Sequence, residues 1–171
     1  MAKYGVRVPP GIACRTPEEV AAAAKTLGGE SGQVVVKSQV LAGGRGLGNF
    51  TSGLQGGVHI VPVGEAQALS KKMLGQTLVT KQTGAAGKPV DTLLVAQKLK
   101  LVNEMYFAIL LDRASAGPMI VACSEGGTSI EDLAESHPEK IIKMKINLDA
   151  GLTTAQALEL AEVGRCWLTP G

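Results

Sequence analysis

Aromatic residues are scarce: one tryptophan, two tyrosines and two phenylalanines make up 3% of the 171 residues. Any core must therefore be aliphatic, built from Val, Leu, Ile and Ala. Cysteine is scarce too: Cys14, Cys123 and Cys166 are odd in number and show neither CxxC nor Cys/His spacing. That argues against a disulfide framework and a zinc site, and fits a reducing compartment. Neither sign of charge dominates, with 17 basic and 15 acidic residues and a net charge of +2. Without a run of five like charges, no nucleic acid and no membrane is indicated as a partner. No apolar run approaches the length of a membrane-spanning helix, and the opening MAKYGVRVPPG resembles neither a signal-peptide core nor an Arg/Ser-rich transit helix. The chain is expected to be soluble, to carry no address and to form about one domain with room for a core.

Glycine is abundant, at 22 residues, and much of it gathers between two β-branched runs in VVVKSQVLAGGRGLGNFTSGLQGGVHIV, Val34 to Val61. Alternation along an extended strand puts Val34, Val36, Ser38 and Val40 on one face, and Val35, Lys37, Gln39 and Leu41 on the other. The following Ala42 to Gly48 can adopt positive φ and can bring backbone N–H groups close to a ligand with no Cβ in the way. With Lys37 before the loop and Arg45 within it, the stretch suits an oxyanion, and phosphate is the natural guess. It matches neither GxxxxGK[ST] nor a GxGxxG that opens a helix, so a glycine-rich hairpin with a solvated Arg45 stays open beside the phosphate reading.

The rest reads as scaffold. Two valines alternate before Pro9-Pro10-Gly11, which should end any strand within Tyr4 to Gly11. Thr16-Pro17-Glu18-Glu19 predicts a capped helix to about Leu27, with Val20, Ala23, Ala24 and Leu27 buried and Gly28-Gly29 as the stop. A returning strand follows at Val58 to Val61, where His59 reads as structural. Next come a helix from Glu65 to Leu74, a strand over Leu78 to Thr83 and an exposed turn over Gly84 to Pro89. Thr92 to Leu99, Met105 to Leu111 and Met119 to Cys123 are β-type segments whose short connectors favour an antiparallel meander. Thr128-Ser129-Ile130-Glu131 opens a short acidic helix by another capping box, with Thr128 in the capping place, ended by His137-Pro138 and with Asp132 and Glu135 as solvated carboxylates. Ile141 to Ile146 alternates like a strand, and Thr153 or Thr154 caps a helix to about Val163.

Taken in order, KSQVLAGGRGLG, SGLQGGVHIV, LVTKQTG, LVNEMYFAILLDR and EGGTSIEDLAE resemble the ATP-grasp part of the succinyl-CoA synthetase beta subunit, from about Tyr4 to Ala161. The form running from Phe50 to Val61 looks mitochondrial-type. The resemblance implies an α/β (α+β) ATP-grasp fold: a subdomain around Val34 to Val61, a meander from Thr92 to Cys123, and nucleotide held between them. It further implies that Lys37 contacts phosphates and that Gly44, Arg45 and Gly46 form the loop over the nucleotide. Val95, Ala96 and Gln97 match the segment whose backbone meets the adenine, although Ala96-Gln97 stand where many members carry a glutamate. Glu104 matches the glutamate near the ribose, and Pro9 resembles the ATP-preferring type. No catalytic residue and no metal ligand of this chain is implied.

The family's reaction converts ATP or GTP, succinate and CoA to succinyl-CoA, nucleoside diphosphate and phosphate, through a phosphohistidine on the partner alpha subunit. Neither His59 nor His137 is that histidine. The family's magnesium-binding segment and flavodoxin-like domain lie beyond the matched stretch. The expectation is therefore a partial ATP-grasp domain over residues 1–163, incomplete at its C-terminal end, with a divergent tail over 164–171 and Mg2+ bound through residues absent here. Two alternatives remain, a non-catalytic nucleotide-binding or interaction module and a malate–CoA ligase beta subunit. By resemblance the compartment is the mitochondrial matrix, otherwise the cytoplasm. The exposed apolar edge is expected to leave the chain alone marginal or prone to associate.

Overall fold

A computed structural model describes residues 2–29, 31–114, 116–127 and 129–165. The chain divides into two compact units, Met1–Lys100 and Leu101–Gly171.

The first unit follows the order β1 (Gly11–Cys14), α1 (Pro17–Leu27), β2 (Gln33–Ser38), β3 (Asn49–Phe50), β4 (Val58–Pro62), α2 (Ala66–Met73), β5 (Thr77–Val79), β6 (Lys88–Pro89) and β7 (Leu93–Gln97). Helix α1 starts where its local chemistry requires: Glu19 N–H donates to Thr16 Oγ1 at 3.2 Å, while the Glu19 carboxylate accepts from Thr16 N–H at 3.3 Å. Proline at the first helical position loses no bond, because that N–H has no acceptor within the helix. The main sheet has the order β1-β7-β2-β4 and is antiparallel throughout, with Val36 opposite both Val95 and His59. Because paired residues share a face, Val34, Val36 and Ser38 of β2 join Leu93 and Val95 of β7 on the side packed by Val20 and Ala24 of α1 and Met73 of α2. Full burial of such Val, Leu and Met side chains stabilises by roughly 1.5–3 kcal/mol each before entropy is counted. A second, three-stranded sheet has the order β3-β5-β6 and adds Phe50 and Leu78 to the same core.

The second unit contains β8 (Tyr106–Asp112), β9 (Gly117–Cys123), α3 (Ile130–Ser136), β10 (Ile141–Lys145) and α4 (Thr154–Arg165), with sheet order β10-β9-β8. Its core is small: Ile120, Ala122 and Met144, with Ile146 and Leu160 packed against them. Thr153 caps α4, its Oγ1 accepting from Gln156 N–H at 3.3 Å while Gln156 Oε1 accepts from Thr153 N–H at 3.1 Å. Among the described residues no helix is long and apolar enough to cross a membrane.

Four expectations need correction. The meander from Thr92 to Cys123 forms only in part: β8 and β9 pair antiparallel as expected, but β7 is an inner strand of the first unit's sheet, and the other edge of β9 is taken by β10. Short connectors favour local pairing, but Leu93 and Val95 are fully buried, and a strand buried this deeply is satisfied only with neighbours on both edges. Among the described residues no strand precedes Gly11. The strand begins there, because two prolines lack the N–H a ladder needs while Gly11 can pair with Ala96. The strand at Leu78 stops at Val79, since Thr80 and Thr83 bond each other's backbone and turn the chain. Helix α3 is capped by Ser129, whose hydroxyl accepts from Asp132 N–H at 3.3 Å. Thr128, given the capping place from sequence, lies outside the described residues, as do Cys166 to Gly171 of the proposed tail; Gly164 and Arg165 end α4.

Candidate functional site

The phosphate reading begins at Lys37. On β2 it lies opposite Leu94 of β7, on the sheet face turned away from the helices, and its ammonium has no hydrogen-bond or ion-pair partner among the described residues. An open groove of about 560 Å³ runs beside it, lined by Val8, Pro9, Pro10 and Gly11 together with Leu94 and Ala96. The structure thus brings Lys37, Ala96 and Pro9 to one concavity. Gln39, expected to point with Lys37, turns its amide to its own strand and donates to the Lys37 and Ser38 carbonyls, each at 3.2 Å.

At the end of β2 the glycine stretch becomes a short 3-10 turn, Arg45–Leu47, entered through Gly44 at φ 69°. Its two limbs are tied by backbone bonds. Gly57 N–H donates to Arg45 O at 2.8 Å, Gly56 N–H to Gly48 O at 2.7 Å, and Ser38 N–H to Gly57 O at 2.8 Å. Arg45 folds back over this tie, donating from Nη1 to Ser38 O at 3.1 Å. Its guanidinium is therefore anchored at the end of the strand that carries Lys37, and its remaining donors are left for a ligand.

The glycines of the loop differ in why they are glycine. A Cβ at Gly43 would meet the Gln82 side chain at 2.5 Å, one at Gly48 would meet Val79 O at 2.8 Å, and one at Gly57 would meet Arg45 O at 2.9 Å. Gly44 and Gly56 hold left-handed φ. Gly46 has neither reason: its φ is not left-handed, and a Cβ there would meet nothing within 4 Å. Beside it, the N–H groups of Gly44, Arg45 and Gly46 have no acceptor among the described residues. Three successive unpaired donors, a bare Cα and the Arg45 guanidinium make a place where an anion is chemically complemented, with Lys37 one residue before the Ser38 carbonyl that anchors Arg45.

Two neighbours of the loop, Ser38 and Gln82, were not singled out from sequence. Ser38 Oγ is fully buried with no hydrogen-bond partner among the described residues, beneath Gly57; the signal was a hydroxyl at a position in register with Val34 and Val36. Gln82 Oε1 accepts from Gly43 N–H at 2.7 Å across 39 residues, a contact with no local signature. His59 Nε2 lies 2.7 Å from Gly56 O and holds the returning limb, the structural part read from its apolar strand.

Val95 and Ala96 sit inside β7 between β1 and β2, and Gln97 N–H donates to Pro10 O at 2.9 Å, so the sheet already engages much of this backbone. Glu104 belongs to the second unit, exposed and just before β8. There the Gly126-Gly127 turn packs directly on it: a Cβ on Gly126 would come within 2.7 Å of the Met105 backbone, and one on Gly127 would collide with the Glu104 carboxylate. In the same unit Lys140 Nζ donates to Glu125 Oε1 at 2.6 Å. That hydrogen bond holds the Glu125 carboxyl below its usual range and lifts the Lys140 ammonium above its own. Among the described residues no group of three or more His, Cys, Asp or Glu is placed to hold a metal ion.

Comparison with known proteins adds to this geometry. The chain is 57% identical over 162 residues to the mitochondrial succinate–CoA ligase [ADP-forming] subunit beta of Arabidopsis thaliana, covering 95% of this chain and 38% of that protein. It is 48% identical over 161 residues to the hydrogenosomal subunit beta of Neocallimastix frontalis, covering 94% and 36% of the two chains. With the subunit beta of Opitutus terrae the identity is 46% over 159 residues, covering 92% and 40%. The chain thus spans well under half the length of these curated relatives. The profile of the ATP-grasp domain matches residues 1–165, and with the match running through both units, the chain belongs to the ATP-grasp domain family.

Proposed function

We propose that this chain is the nucleotide-binding part of a succinate–CoA ligase beta subunit, and that the phosphates of ATP lie on the Gly44–Gly46 loop. The observation that carries the reading is the row of unpaired N–H groups at Gly44, Arg45 and Gly46, with Arg45's guanidinium anchored on Ser38 O at the end of the strand that carries Lys37. Each hydrogen bond to a charged phosphate oxygen contributes roughly 1.5–3 kcal/mol when well formed. Fixed amides lose little order on binding, so most of that is kept. The groove beside Lys37, apolar along Val8 to Pro10 and Leu94, suits a base more than a second anion. On the resemblance alone, Glu104 is assigned to the ribose hydroxyls and the Val95–Gln97 segment to the adenine.

The names of the relatives, ADP-forming ligases and subunits called beta, support ATP over GTP as the nucleotide and an alpha subunit as the partner. They also support a mitochondrial-type compartment. In the reaction so proposed, ATP supplies the phosphoryl group and succinate and CoA are joined. This chain's residues bind and orient the phosphates, and no step is assigned to Mg2+.

Calorimetric titration of the 171-residue chain with ATP and with GTP, each with and without magnesium, tests the proposal. Saturable ATP binding that disappears in a folded Lys37→Ala/Arg45→Ala variant is the expected result. Equal binding by the variant, or none by the folded wild type, would remove the loop from nucleotide recognition.

A further inference from the structure

We infer that Gln82 is a positioning residue, a latch that holds the Gly44–Gly46 donors in their ligand-receiving arrangement before any ligand arrives; this rests on the phosphate reading of that loop. The loop is tied firmly at its far end, where Gly48, Gly56, Gly57 and Arg45 bond to one another and to Ser38. At its near end the one tie among the described residues is Gly43 N–H to Gln82 Oε1, at 2.7 Å. Gly43 precedes the unpaired row directly, so fixing its peptide fixes where that row starts. A freely rotating loop of glycines would have to be ordered on binding, and that entropy would be subtracted from affinity.

Gln82 is built to do this. It sits in the turn from Thr80 to Thr83, which Thr80 Oγ1 closes by accepting from Gln82 N–H at 3.2 Å and Thr83 N–H at 3.3 Å, with Thr80 itself buried. Thr83 Oγ1 in turn accepts from Thr80 N–H at 2.8 Å. The amide therefore projects from a fixed base, although its own side chain is exposed. The receiving position is shaped to match: a Cβ on Gly43 would press into Gln82 at 2.5 Å from Nε2 and 2.9 Å from Cδ. Glycine there serves the latch, not a special φ, since Gly43 is not left-handed.

The test uses amide hydrogen exchange of the ligand-free chain together with ATP titration, for wild type, Gln82→Ala, Gln82→Glu, Gly43→Ala and the Gly43→Ala/Gln82→Ala double variant. Gln82 is an exposed turn side chain, so its variants are expected to fold. Gln82→Ala should lose protection at Gly43 and weaken ATP binding roughly three- to tenfold, the scale of one neutral hydrogen bond. Gln82→Glu keeps the acceptor and should keep the protection, while its carboxylate weakens ATP binding by repulsion. Gly43→Ala, by pushing the latch off, should mimic Gln82→Ala, and the double variant should be no weaker than either single one. Unchanged Gly43 protection in Gln82→Ala, or additive losses in the double variant, would overturn the latch. Wild type that protects Gly43 through Gln82 yet fails to bind ATP would retain the latch and discard the phosphate reading.

Discussion

Replacing Gly46 by alanine separates ligand binding from folding more cleanly than any other change in the loop. A methyl group there meets no atom within 4 Å, and the backbone is not left-handed, so the folded state has no cause for strain. Alanine also restricts the unfolded chain. Gly46→Ala should therefore stabilise by about 0.4–1 kcal/mol, raising the melting temperature by about 2 to 6 °C for a cooperative unit of this size. ATP binding should move the other way. If an anion rests against the Gly46 Cα, the added methyl displaces it from at least one donor, and losing a charge-assisted bond of about 1.5–3 kcal/mol weakens binding by roughly 10- to 150-fold. The contrast variant is Gly57→Ala, whose Cβ would sit 2.9 Å from both Arg45 O and Leu78 Cδ2; it should cost about 1–3 kcal/mol of stability. The assay pairs thermal unfolding with calorimetric ATP titration on the same samples. Gly46→Ala protein that binds ATP as tightly as wild type would refute the argument that this glycine exists for a ligand.

Three other expectations follow from the structure. Thr16→Ala removes the hydroxyl that accepts from Glu19 N–H and should destabilise the first unit by about 1 kcal/mol, measured by urea unfolding; no change would mean the helix start is held by packing alone. Glu125 has a lowered folded pKa, so its pairing with Lys140 contributes stability above the ordinary carboxylate range, lost as pH falls through the lowered value. Lys140→Met should return the Glu125 titration, followed by carboxyl NMR shifts, towards its usual range. Strand β8 exposes Phe107, Ile109 and Leu111 at alternate positions, at 59%, 68% and 82%. Light scattering should show concentration-dependent association that Ile109→Lys weakens, and a wild type monomeric at every concentration would contradict it.

How far the sequence could be read depended on the range of the interaction. Helix α1 was legible because Thr16, Pro17 and Glu19 act within one turn of each other. The β2 face was legible because alternation needs only neighbouring residues, and Lys37 duly lies apart from Val34 and Val36. The placement of β7 was not legible. Its neighbours, β1 and β2, lie far away in the chain, while the short connectors after Leu99 and Asp112 suggested nearer partners. The glycine loop shows both cases: an anion-receiving character could be read from its composition, but the roles of its individual glycines depend on Val79, Leu78 and Gln82, which arrive from the β5 strand and the turn after it. Ser38 shows a signal passed over, since a hydroxyl at a buried-face position asks for a partner that the described residues do not supply.

The central claim is that the Gly44, Arg45 and Gly46 amides receive the phosphates of a nucleotide. The most direct measurement follows these three amide resonances in the labelled chain during titration with ATP, and again with adenosine. The account predicts large, saturable shifts at all three with ATP and little change there with adenosine. Shifts that bypass these amides while ATP binds, or equal shifts with adenosine, would contradict it.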